Sequence, residues 1–217
     1  MLITQTKPTE TSDTNLPFVD LCFSVIGSTA PADHNYALHA AIKHLHPELL
    51  QQTGVSIQTI TGIPDGRGKI YLSSRSRFRM RLPGDLVPLA YPLAGKQLKL
   101  GIHQIRLGIP QIYMLQPASR LRSRIVVIKG YQEPEEFLAA AKRQLNQLGI
   151  SGTAAIPTNT EEECDRKTIK IKRFTVIGFG LEVIDLNDED SLKLQIHGIG
   201  GKQKMGCGVF VPVREAV

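Results

Sequence analysis

Apolar residues along this chain fall into two kinds of spacing. In "FVDLCFSVIG", Leu21, Phe23 and Val25 recur every second position, which predicts a strand with one buried side. The following segment changes period. Leu38, Ala41, Ile42, Leu45 and Leu49 recur at three- and four-residue intervals and predict a helix with one apolar face, with Asp33 as its N-cap. "VSIQTITGI" and "KIYLSS" read as strands joined by the turn "PDGRG". "RLPGDLVPLAYPLAG" holds a short helix, and "KQLKLGIHQIRLGI" supplies further strand.

The same order returns. "SRIVVIKG" is a strand, and "EPEEFLAAAKRQLNQLG" is a helix with Pro134 in its first turn, acids at its N-terminal end and Gly149 closing it. "KTIKIKRFTVIGFGLEVI" predicts a hairpin. "NDEDSLKLQIHG" predicts a helix capped by Asn187, and "VFVPV" a last strand. Two β-α-β-β-α-β orders in tandem predict an α+β chain of two ferredoxin-like (RRM-like) domains. The expected division is a flexible Thr-rich tail over 1–16, a first domain over 17–112 and a second over 113–217.

Composition narrows the partners. Against 20 acidic residues stand 26 lysines and arginines, a net charge of +6 that favours a polyanion. The charge is also patterned. In "SRSRFRMRL", Arg75, Arg77, Arg79 and Arg81 alternate with Ser76, Phe78, Met80 and Leu82, so strand geometry puts the four guanidinium groups on one face. Arg matches phosphate bidentately, and a row of phosphates relieves the repulsion between like charges. Arg122, Arg124, Lys129, Lys170 and Lys172 extend the basic set. No Trp is present and no aromatic "GFGFV" segment, so backbone and shape recognition of RNA is expected over base stacking. The bland alternative is an edge strand kept soluble by charge.

Three cysteines without C-x-x-C spacing fit neither a disulfide framework nor a zinc site and suit a reducing cytoplasm. No apolar run is long enough for a membrane span. The histidines show no metal-ligand spacing: His39 and His46 lie about 10 Å apart along a helix, and no HExxH is present. No cofactor is expected. A histidine beside bound RNA can instead take the 2′-hydroxyl proton as general base. His34, at the helix N-terminus, is the candidate by position, against the bland reading of a capping-region residue.

The segment "HGIGGKQKMGCGVF" gathers five of the nineteen glycines, Gly198, Gly200, Gly201, Gly206 and Gly208, around Lys202 and Lys204. It is neither a dinucleotide-binding turn nor a P-loop. Its form, G-h-G, five residues, then G-h-G (h apolar), resembles the C-terminal glycine-rich loop, here 198–208, of CRISPR-associated RAMP-superfamily endoribonucleases that cut repeat RNA. "DLCFSVIGSTAPADHNYAL", "PLAGKQLKLG", "SRIVVIKG" and "EPEEFLAAAKRQL" carry the resemblance further, toward the Myxan-type subfamily.

The resemblance implies cleavage of CRISPR repeat RNA in the precursor transcript to mature crRNA, without metal, leaving a 2′,3′-cyclic phosphate. It implies a general-base histidine near the first helix, with His34 first, His39 second and Tyr36 as helper. It also implies partnership with other subunits of a Cascade-like effector complex. The loop glycines would let backbone amides approach phosphate while the two lysines supply charge. The alternative is a non-catalytic RNA-binding subunit of such a complex.

Overall fold

The computed structural model describes residues 17–158 and 163–213. The expected tail over 1–16 lies outside them. In chain order the elements begin with β1 (Phe18–Ile26), β2 (Thr29–Pro31), α1 (Asn35–Leu45), β3 (Ser56–Gln58), β4 (Ile63–Pro64), β5 (Lys69–Tyr71) and β6 (Arg77–Pro83). They continue with α2 (Val87–Ala90), β7 (Gln97–Leu100), β8 (His103–Met114), β9 (Leu121–Val126), α3 (Pro134–Gln147) and β10 (Thr153–Ala155). The last are β11 (Arg166–Ile171), β12 (Phe174–Ile184), α4 (Asp188–His197) and β13 (Val211–Pro212).

Two antiparallel sheets share one plan. The first runs β3-β6-β1-β8-β7 and the second β10-β12-β9-β13, with β11 beside β12. Taking β3, β6, β1 and β8 as second, third, first and fourth strands of a βαββαβ unit, β10, β12, β9 and β13 repeat that order. This is the split-βαβ arrangement, built twice.

Burial follows the periods. Leu21, Phe23, Phe78, Met80 and Leu82 of the first sheet pack under Leu38 and Ile42 of α1. In the second, Leu121, Phe179, Leu181 and Val183 pack under Phe137, Ala141 and Leu145 of α3 and Leu194 of α4. Each helix therefore covers one face of its sheet, and the other face is left for polar side chains and the opposite unit.

Three local expectations change. The strand expected over "VSIQTITGI" splits: Ser56–Gln58 stays in the main sheet as β3 beside β6, while β4, at its end, pairs with β5, and β5 with β2, in a small sheet of their own. Arg75 lies in the turn before β6, so the arginine row is Arg77, Arg79 and Arg81. Asp33 does not cap α1; its carboxylate accepts the backbone N–H of Lys170 on β11 at 2.7 Å, a link between the two units. His34 takes the N-cap position without a side-chain cap bond. Asn187, by contrast, caps α4 as its sequence predicts, accepting the Asp190 N–H at 2.8 Å.

Candidate active site at the junction of the two units

The helix α1 and the glycine-rich loop meet across the two units, held by residues one helical turn apart. Asn35 and His39 sit at i and i+4 and face the same way. Asn35 donates its side-chain amide to the Met205 carbonyl, and His39 Nδ1 lies 2.9 Å from the Lys204 carbonyl. A carbonyl only accepts, so Nδ1 carries the proton in this contact and the neutral ring bears its lone pair on Nε2. Nε2 has no protein hydrogen-bond partner among the described residues. Tyr36, three residues earlier, shares this side of the helix and is half-buried.

His39 is half-buried, and its pKa lies below the usual 6.5. Burial is the main cause; the Lys204 carbonyl opposes it, while the charges of Lys43 and Lys204 add to the depression. The ring is therefore neutral at neutral pH, as a proton acceptor must be.

His34 differs at each point. It is 2 % exposed. Its Nδ1 donates to the Pro31 carbonyl at 2.7 Å and its Nε2 accepts the Ile60 N–H at 2.8 Å. Burial lowers its pKa, against the pull of the Pro31 bond. Both ring nitrogens are spent pinning the loop before α1 to the segment after β3, so no ring nitrogen faces a ligand. Of the two candidate histidines, His34 has both ring nitrogens engaged by protein groups, and His39 has one engaged by the Lys204 carbonyl.

The cations divide in the same manner. Arg81 is buried: Nε and Nη2 donate to Asp20 at 2.8 and 3.0 Å, and Nη1 donates to the carbonyls of Gln195 and Phe210 at 2.7 and 2.8 Å. It ties the first sheet to α4 and the approach to β13, and offers no donor to a phosphate. Arg77 directs Nη1 to the carbonyls of Ser74 and Ser76. Arg79 is half-exposed and has no side-chain partner among the described residues.

Arg122 is exposed but paired with Asp165 at 3.2 Å and Glu182 at 3.5 Å. Arg124 donates to Asn35 Oδ1 at 2.9 Å, which brings it to the junction. Arg75, Lys129, Lys170, Lys172 and Lys202 are exposed. Lys204 is committed: its ammonium donates to the carbonyls of Leu50 and Gln52 at 2.6 and 2.8 Å.

The loop glycines serve the loop's own shape. Gly198 and Gly208 both have positive φ, and a Cβ on either would stand about 2 Å from a carbonyl of the opposite strand of the loop: 2.1 Å from the Gly208 oxygen and 2.0 Å from that of Ile199. The amides of Gly200, Gly201, Gly206 and Gly208 donate to Gln144 Oε1 and to the carbonyls of Val127, Gln203 and Ile125. They are not available to a phosphate; the expected amide cradle is replaced by close backbone packing. Beside the loop opens a cavity of about 570 Å³, bordered by Lys129, Gln132, Gln144, Thr175, Gly201 and Lys202.

No group of three or more His, Cys, Asp and Glu side chains able to hold a metal occurs among the described residues. Cys207, within the loop, is buried, and burial pushes its thiol up to about 12, too high for a nucleophile at neutral pH. No helix among the described residues is long and apolar enough to cross a membrane. Asn35 is the site residue that the sequence pattern left unmarked; its place one turn before His39 was the available signal.

A basic α+β protein of two ferredoxin-like units, with an unprotonated imidazole nitrogen at their junction, is the class this fold and site define. The family model described as Cas6 Crispr matches residues 19–215. The CRISPR-associated endonuclease Cas6 of Myxococcus xanthus is 34% identical over 195 residues, covering 90% of this chain and 81% of that protein. The chain belongs to the Cas6 family.

Solved structures share the fold at low identity. A CRISPR associated protein Cas6 aligns with a TM-score of 0.62 at 12% identity, covering 91% of this chain and 99% of that one. A RAMP protein described as binding different RNA substrates gives 0.63 at 13% identity, covering 91% and 99%. A Cas6-related protein of Pyrococcus furiosus gives 0.61 at 13% identity, covering 92% and 99%.

Proposed function

We propose that this protein cleaves CRISPR repeat RNA within the precursor transcript, with His39 as general base. Nε2 takes the proton of the ribose 2′-hydroxyl; the 2′-oxygen attacks the adjacent phosphorus; the bond from phosphorus to the 5′-oxygen breaks. The products are a 2′,3′-cyclic phosphate and a 5′-hydroxyl end, whose proton comes from solvent or a neighbouring acid. The nucleophile is part of the substrate, so an imidazole base and nearby cations suffice and no metal enters the step.

Tyr36 lies beside the reacting ribose as helper. Arg75, Arg79, Arg124, Lys129, Lys170, Lys172 and Lys202 contact the phosphates. The expected boundary at 112/113 falls inside β8, which runs on to Met114, so the two units divide instead in the segment 115–120, before β9. The protein works in the cytoplasm and hands its product to other subunits of an effector complex.

The observation that carries this reading is the open Nε2 of His39, set by the Nδ1 contact with Lys204. Single-turnover cleavage of repeat RNA in EDTA tests it. The His39→Ala protein should bind RNA and cleave at least about 100-fold more slowly. Wild-type protein that binds repeat RNA in EDTA without cutting it would leave the non-catalytic RNA-binding reading.

A further inference from the structure

Lys204 combines two features that do not suit a phosphate contact. Its ammonium is held on the carbonyls of Leu50 and Gln52. Its own carbonyl meets His39 Nδ1. The next carbonyl, that of Met205, is held by the amide of Asn35, a residue 1 % exposed. Arg124 in turn fixes Asn35 through Oδ1 at 2.9 Å. Gly206 completes the seat: with a φ of 78°, it places its Cα where a Cβ would stand 3.2 Å from Asn35 Nδ2 and 3.3 Å from the Ile57 carbonyl. A short piece of the second unit is thus clamped by the first, and the clamped atoms include the one hydrogen-bond partner of the His39 ring among the described residues.

We propose that Lys204 and Asn35 are positioning residues, which hold the Lys204 carbonyl on His39 so that the ring keeps its proton on Nδ1 and aims its bare Nε2 at the 2′-hydroxyl. The physical reason is the two-nitrogen logic of imidazole: the partner of one nitrogen decides the state of the other. Without the carbonyl the ring is free to rotate and to exchange tautomers, and in one tautomer Nε2 carries hydrogen and cannot accept. When the 2′-hydroxyl proton arrives, the ring becomes imidazolium, and the carbonyl dipole on Nδ1–H stabilises that charge. Catalytic competence therefore depends on the docking of the two units, since the base belongs to one and its orienting atom to the other.

This inference rests on His39 as the base, and the experiment separates the two. Single-turnover rates at saturating repeat RNA, and RNA dissociation constants at several salt concentrations, are measured for Lys204→Met, Lys204→Arg, Asn35→Asp and His39→Ala. Lys204→Met keeps the stem and loses the donors; Asn35→Asp keeps the acceptor for Arg124 and loses the donor to Met205.

Lys204→Met and Asn35→Asp should each lower the saturated rate by about 100-fold, the effect of an ångström-scale misplacement. Affinity and salt slope should stay at wild-type values in Lys204→Met; in Asn35→Asp the new carboxylate balances Arg124, so the slope should fall by no more than about 0.7, the share of one phosphate. Lys204→Arg should recover part of the rate. A purely structural role would lower thermal stability and leave the rate per folded molecule unchanged. A phosphate contact at Lys204 would instead weaken binding and lower the salt slope. Either result overturns the positioning role. Full activity in His39→Ala would overturn the base assignment itself. Should Lys204→Met fail to fold, Asn35→Asp decides alone.

Discussion

Arg81 and Asp20 lie opposite each other across the β1–β6 ladder and form a two-pronged ion pair, Nε to Oδ1 at 2.8 Å and Nη2 to Oδ2 at 3.0 Å. The remaining Arg81 nitrogen reaches two carbonyls of the second unit, so one side chain fastens both halves of the protein. Removing one member of a buried pair strands the other. Arg81→Met should therefore cost about 3–5 kcal/mol in chemical denaturation, with RNA affinity per folded molecule unchanged. A stable variant with lost RNA affinity would return Arg81 to the nucleic-acid surface.

The glycine-rich loop supplies an internal contrast. Gly198→Ala and Gly208→Ala place a methyl group about 2 Å from a carbonyl, at positive φ, and should lower stability by about 1–3 kcal/mol or displace the loop. Gly201→Ala meets only the Val127 oxygen at 4.0 Å, without a positive φ, and should be silent. Thermal melts of the three variants check this ordering.

His34 predicts a pH dependence of stability. Its folded pKa is below 6.5, so the neutral ring is the form the fold prefers. The unfolded chain then binds more protons as pH falls through 6.5, and stability declines. The contribution is full above pH 6.5 and is lost as pH drops through the lower folded value. Denaturation midpoints between pH 5 and 8 should fall on the acidic side, with a shallower fall in His34→Gln.

Much of this was legible in the chain. The period-two run around Phe78, Met80 and Leu82 marked a strand and its buried side, and Asn187 marked a helix start. Periodicity assigns a residue to a face without saying what covers that face. Arg77, Arg79 and Arg81 do share one face, yet Gln195 and Phe210, more than a hundred positions away, take Arg81 out of solvent. Asp33 had a cap's chemistry but found its partner in Lys170, and Lys204 found carbonyls of Leu50 and Gln52. These contacts belong to the docking of one unit on the other. The turn "PDGRG" marked β5, but β2, three residues long, is too short to show a period, so its pairing with β5 left no trace.

The cations that the protein does not consume carry a further prediction. Arg79→Ala and Lys202→Ala should each weaken RNA binding and lower the magnitude of the log–log salt slope by about 0.7, the share of one phosphate on a single strand. Arg122→Ala should change the slope less, because Asp165 and Glu182 already balance that charge. Titrations of repeat RNA across a salt series give the slopes.

The most direct measurement compares His39→Ala with His34→Gln in single-turnover cleavage of repeat RNA, at saturating protein and in EDTA. Loss of cleavage with retained binding in His39→Ala, and a near wild-type rate per folded molecule in His34→Gln, is the predicted result. A His39→Ala protein that cuts at the wild-type rate, with His34→Gln inactive though folded, would contradict it.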